Sequence, residues 1–293
     1  MHVFMPTPRL IFLSWLISAS ALAQPATEIH VFDLSVRKNS ISISNPVNIT
    51  AHKGYDNQPA FHPTAAQVFY SSFNEDGRAD IRMYDLETKK TINITETPER
   101  EYSPTITPDN GHLSCIIQRD NNAQDLGKYP IEGGTAEVII DNMIVGYHVW
   151  ADNSHLALFV LGTPNTLHYL RLPTKKDTIL AENIGRSLHR IPKAGAISFV
   201  HKISEKEWLI KRMDNETMSI TTVAATLPGR EDLCWLPDGR VLMSDGTDLY
   251  WLKPGPSAAW NKVKRPASVS LKGITRLAVG AGGKKIAVVA DEE

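Results

Sequence analysis

The chain has 293 residues, 42% of them hydrophobic and 22% charged, which is enough apolar content for a sizeable folded core. Its 31 lysines and arginines against 32 aspartates and glutamates leave a formal net charge of -1. That balance creates no long-range field for a polyanion, so nucleic acid is not an expected partner.

At the N-terminus Arg9 precedes an apolar run, Leu10 to Ile17, and Ala21-Leu22-Ala23 supplies the small residues of a cleavage site. This predicts a signal peptide over 1–23 and Gln24 as the mature N-terminus. The run is interrupted by Ser14, Ser18 and Ser20 and is short for a bilayer span, and no cysteine sits at the cleavage site for a lipid anchor. The expectation is a periplasmic or secreted chain with no membrane span after cleavage, a single domain over 24–293, and a monomer.

From there a motif recurs: an apolar stretch, a Pro-Asp-Gly-like corner, then a short apolar strand. Its clearest copies are Gln58-Pro59-Ala60-Phe61-His62-Pro63, Ser103 to Gly111 and Asp232 to Gly239. With the corner as marker the series reads Pro63, Pro108, Ala151, Pro192, Pro237 and Ala281, at steps of 45, 43, 41, 45 and 44 residues. A period in the forties marks four-stranded propeller blades, so the fold class is all-β, a six-bladed β-propeller. Proline presets the backbone of an early turn position, Asp bonds back to the chain and Gly accepts a positive φ at the exit, which sets the inner hairpin's register.

Repeat one predicts strands over Gln58 to His62, Gln67 to Ser72, Asp80 to Leu86 and Thr91 to Thr95, each rich in β-formers and bounded by turn residues. Two places before the corner, Phe61, Ile106, Val149, Trp235 and Val279 are expected to pack between neighbouring blades, with Arg190 breaking the rule. Repeat six holds only two inner strands, Leu277 to Gly280 and Lys285 to Ala290. Its missing outer pair is supplied by Glu28 to Leu34 and Pro46 to Thr50, because Asn48-Ile49-Thr50 and Asn93-Ile94-Thr95 lie one period apart. Such closure removes the exposed edges of an open fan. Cys115 and Cys234 fall three repeats apart, on opposite sides of the ring, too far for a disulfide, and are expected as buried thiols.

The innermost-strand motif and the third strand Tyr84-Asp85-Leu86 resemble the TolB-like, WD-like propeller repeats of exported bacterial proteins. The resemblance implies a periplasmic or secreted six-bladed scaffold whose partners are envelope proteins or peptides. TolB itself carries an α/β domain before its propeller, and residues 24–51 are too few to form one.

Residues five to seven places before each corner are expected to ring one mouth of the central channel. They include Asp56, Asn57, Glu101, Tyr102, Arg186, Glu231, Asp232 and Arg276, a polar set of mixed sign suited to a peptide or a small polar ligand. His148 and His189 are counted with this ligand- or partner-binding set; with Cys234 they are read as occupying one equivalent position near the axis in three blades, as packed or water-bonded side chains, and zinc ligation is weighed and not adopted. No Gly-x-Ser-x-Gly elbow, cofactor motif or room for a hydrolase domain is present, so neither a catalytic residue nor a cofactor is assigned. The leading expectation is a non-catalytic scaffold binding at the channel mouth. The alternative is a metal-dependent enzyme, lactonase-like or sugar-lyase-like, using a carboxylate cluster of Asp56, Glu101 and Asp232.

Overall fold

Residues 26–292 are described in a computed structural model, and the segment read as a signal peptide lies outside them. The described strands form six four-stranded antiparallel sheets, with one short 3-10 turn at Leu172–Thr174. The innermost strands are Asp56–Phe61, Arg100–Ile106, Val145–Trp150, Ile184–Ile191, Leu233–Trp235 and Leu277–Val279. Each touches the next and the last touches the first, which makes the six-bladed β-propeller expected from the repeat. Blade one runs Asp56–Phe61, Gln67–Phe73, Ala79–Asp85 and Thr91–Asn93, within two residues of its sequence-derived bounds.

The last blade closes as expected. Thr27–Arg37 pairs antiparallel with Lys285–Asp291 from Thr27 opposite Asp291 to Asp33 opposite Lys285. The outermost strand, placed over Pro46 to Thr50 from sequence, instead runs Ser40–Asn48. The reason is the period-2 stretch Ser40-Ile41-Ser42-Ile43, which buries Ile41 and Ile43 and extends the pairing back to a tight turn at Lys38-Asn39.

The apolar core is six clusters, one at each interface between neighbouring blades. Phe69, Ile81 and Met83 of blade one meet Leu113, Cys115 and Tyr129 of blade two. At the closing seam Ile29, Val31 and Val289 meet Val68 and Tyr70 of blade one. Cys115 and Cys234 belong to different clusters and both are unpaired. Burial raises both thiols above the usual range, so neither is a ready thiolate.

One sequence-derived register needs correction. The backbone amide before each corner donates the bond that closes the turn: His62, Thr107, Leu236 and Gly280 donate to the carbonyls of Gln67, His112, Arg240 and Lys285, and Ala151 donates to that of His155. Ala151 therefore matches the residue before the corner, and the corner of blade three is Asp152. The residue two places before it is then Trp150, not Val149. Trp150 packs on blade two and donates its indole N–H to Ser114 Oγ at 2.9 Å, as Trp235 packs on blade four and donates to Ser198 Oγ at 2.8 Å. Phe61, Ile106 and Val279 likewise pack against the preceding blade. Arg190, the exception, is exposed, and Leu188 fills the seam with blade three in its stead.

Candidate functional site

The corrected register gives two rings at the channel. Six residues before the corner come Asn57, Tyr102, Gly146, Arg186, Glu231 and Thr275; five before come Gln58, Ser103, Tyr147, Ser187, Asp232 and Arg276. The approach is bent by bulges in the innermost strands of blades one to four. In blades one and two the bulge puts Gln58 and Ser103 in the left-handed region, each with φ of 57°. A bulge re-aims the side chains that flank it, and here it separates the rings from the residue one step earlier. Asp56, Glu101 and Val145, seven before the corner, are consequently buried inside the blades, and Ile274 at the same position in blade six is buried as well.

A cavity of about 360 Å³ opens beside the axis, lined by Asn57, Gln58, Tyr102, Tyr147, Arg186 and Arg276 among others. A smaller space of about 110 Å³ shares Gln58, Tyr147, Arg186 and Arg276 with it, so these four form the boundary between the two. Gln58 Oε1 accepts from Ser103 N at 2.7 Å and Ser71 Oγ at 3.1 Å, which ties blade one to blade two at the ring.

On the other side three blades are joined through Asp232. Arg186 grips it with two bonds, Nε to Oδ1 at 3.2 Å and Nη2 to Oδ2 at 2.7 Å. Arg276 Nη1 reaches Oδ1 at 3.0 Å, and the Arg276 guanidinium stacks 4.8 Å above the ring centre of Tyr147. Burial alone raises the Asp232 carboxyl, and Arg276 and Arg186 outweigh it, leaving the acid below its usual value. Glu231 accepts from Arg186 N at 3.0 Å and pairs with Lys202 Nζ at 3.1 Å.

Solved structures match this architecture. A protein described as TolB from Agrobacterium tumefaciens superposes with a TM-score of 0.69 at 12% identity, over 92% of this chain and 99% of that one. TolB from Acinetobacter baumannii gives 0.59 at 14%, over 91% of this chain and 64% of that longer one. In fold, the chain is a TolB-like propeller. An oligogalacturonate lyase in complex with manganese shares the fold at a TM-score of 0.52 and 14% identity, over 89% of this chain and 78% of that one. At such identities the likeness is one of architecture, and function must be argued from the site. No protein-family model and no curated protein sequence matches the chain.

Within this TolB-like propeller the three carboxylates weighed as a cluster occupy three separate environments. Asp56 is fully buried, with His52 Nε2 3.2 Å from Oδ2, and neither carboxylate oxygen has a hydrogen bond among the described residues. Burial pushes its carboxyl up to about 6, against the pull of Ser72, His52 and Arg82 and with repulsion from Glu28. Glu101 sits in a cage of hydroxyls, bonded by Thr97 at 2.6 Å, Tyr129 at 3.0 Å and Thr95 at 3.3 Å, and burial raises it too. Among the described residues, no group of three or more His, Cys, Asp or Glu side chains is placed to hold a metal ion.

His148 does not share a position with His189 and Cys234. The corrected corner aligns it with Leu188, Leu233 and Leu277, and it packs on blade two with Nε2 2.7 Å from Ser114 Oγ. The Ser114 hydroxyl donates to Thr105 O at 3.1 Å and accepts from Trp150, so Nε2–H is the donor and Nδ1 is left buried without a partner. A proton on Nδ1 would be stranded, and burial lowers His148 to about 3. His189 bonds Ser187 Oγ at 2.9 Å; burial and the Arg276 charge lower it to about 4 against the opposing charge of Asp232. The residue missed from sequence is Tyr147, displaced from the ring by the one-residue error in blade three.

Proposed function

We propose that the chain is an exported, non-catalytic propeller scaffold that binds a protein, peptide or small polar ligand at the channel mouth. The observation that supports this best is the cavity of about 360 Å³, within the range of ligand sites, into which blades one, two, three, four and six all contribute side chains. Its lining mixes two arginines, three tyrosines and several amides. Arginine and tyrosine are the residue types that most often anchor interfaces. The likeness in fold to two TolB structures supports a scaffold reading, and the N-terminal leader read from the sequence supports export.

The test is affinity capture from periplasmic extract, identification by mass spectrometry, and titration of the captured partner against a variant with Tyr102→Ala, Tyr147→Ala, Arg186→Gln and Arg276→Gln. Anchors are worth on the order of 1 to 2 kcal/mol each, so the variant should lose nearly all measurable affinity. Unchanged affinity, with binding lost instead through substitutions on the outermost strands, moves the site to the rim.

A further inference from the structure

The polar groups around the cavity are unequally divided between donors and acceptors. Arg186 commits Nε and Nη2 to Asp232, and Arg276 commits Nη1 to the same carboxylate. A guanidinium has five N–H donors, so the pair keeps several unspent, and Arg186 Nη1 and Arg276 Nε and Nη2 bond no described side chain. Gln58 uses its carbonyl oxygen on Ser71 and Ser103, which leaves its NH₂ as the free end. Thr275 Oγ1 is buried without a partner and lines the same cavity, as does Tyr55, which is 5% exposed and whose hydroxyl meets no described hydrogen-bond partner.

Charge follows the same direction. Two guanidiniums share one carboxylate, and Glu231 is matched by Lys202, which leaves the group one positive charge in excess. The acid in the lining, Asp291, is exposed and therefore screened by solvent.

We infer that the cavity takes a ligand that presents a carboxylate to the Arg186–Arg276 pair. A carboxylate is a planar acceptor with no donor, the complement of a guanidinium fork surrounded by further donors. A volume of about 360 Å³ admits the C-terminal end of a peptide or one acidic sugar. The inference rests on the channel mouth being the binding surface.

Calorimetric titration of the mature chain at low salt tests it with three probes: N-acetyl-dialanine, its C-terminal amide, and glucuronate. The acid should bind about tenfold or more tightly than the amide, as expected for charge-assisted bonds against neutral ones. Tighter binding of the dipeptide than of glucuronate assigns the carboxylate to a peptide end, and the reverse assigns it to an acidic sugar. Arg276→Gln should abolish the preference for acid over amide. Asp232→Asn should tighten the acid several-fold, because it releases donors and charge that Asp232 now holds; this variant decides the matter if Arg276→Gln does not fold. Equal affinity for acid and amide, no binding of either acid at millimolar concentration, or an Asp232→Asn chain that binds the acid no better overturns the inference. Probes that fail while a captured partner still maps to the mouth refute this inference alone, and a partner mapped elsewhere while the acids still bind refutes only the proposed protein-binding role.

Discussion

Replacing His148 with leucine should make the propeller markedly less sensitive to acid. The equivalent positions in blades four, five and six are Leu188, Leu233 and Leu277, so leucine suits this place in the blade. Ser114 would keep its bonds to Trp150 Nε1 and the Thr105 carbonyl. The histidine's folded value of about 3 lies far below its ordinary 6.5. The unfolded chain therefore binds a proton that the folded chain refuses. For a group depressed in this way, stability is complete above the unfolded value and is lost as pH falls below it. Between about pH 7 and pH 5 the loss comes to ~2 kcal/mol, one and a half pH units below the unfolded value at ~1.4 kcal/mol each. For a chain of this size that corresponds to a fall of roughly 4 to 8 °C in Tm. Asp56 works in the opposite direction, since its raised carboxyl favours the folded state as pH falls through about 6. The wild-type pH curve alone is therefore not the test; the difference between the two curves is. Melting of both chains by circular dichroism at the two pH values gives that difference. An unchanged drop in the His148→Leu chain refutes the buried neutral imidazole as a source of acid lability.

Asp56→Asn should raise stability at neutral pH by up to ~3 kcal/mol, because the buried carboxylate is ionised there at a cost of about two pKa units, and the gain should vanish below about pH 4; a lower Tm for the variant at pH 7 contradicts the assignment. Deleting residues 27–50 removes both outer strands of the closing blade and bares the edge of Lys285–Asp291, so the product should be insoluble or far less stable. A monomeric deletion product with an unchanged Tm sinks the closure. Cys115 and Cys234 should react with a thiol reagent only as fast as the chain unfolds, and an intramolecular bridge in non-reducing mass spectrometry is incompatible with the blade order.

The blade count and the closure were legible because both rest on recurrence: proline corners at a steady spacing, and a repeated Asn-Ile-Thr triplet one period apart. Blade three was the weak point. Its corner, Ala151-Asp152-Asn153, lacks the proline that marks four of the other five, and a marker placed one residue early inverts every side chain in a strand. That single step grouped His148 with His189 and Cys234 and left Tyr147 out of the ring. The signal that corrects it was in the sequence: aligning Trp150 with Trp235 sets the corner at Asp152. The fates of Asp56 and Glu101 were not legible. Whether a residue at the mouth points into the channel or into the blade depends on the bulge at Gln58 and Ser103, two ordinary polar residues that adopt a positive φ. Nor does spacing reveal that Asp232 is shared by arginines from two different blades.

Hydrogen exchange on the complex with a captured partner tests the central claim most directly. Binding at the mouth predicts slowed exchange in peptides covering 55–58, 101–104, 145–148, 185–188, 230–233 and 274–277, with the outermost strands Thr91–Asn93, Glu137–Ile140 and Ile220–Ala225 unchanged. Protection confined to those outermost strands, with the six channel segments exchanging as in the free protein, would contradict it.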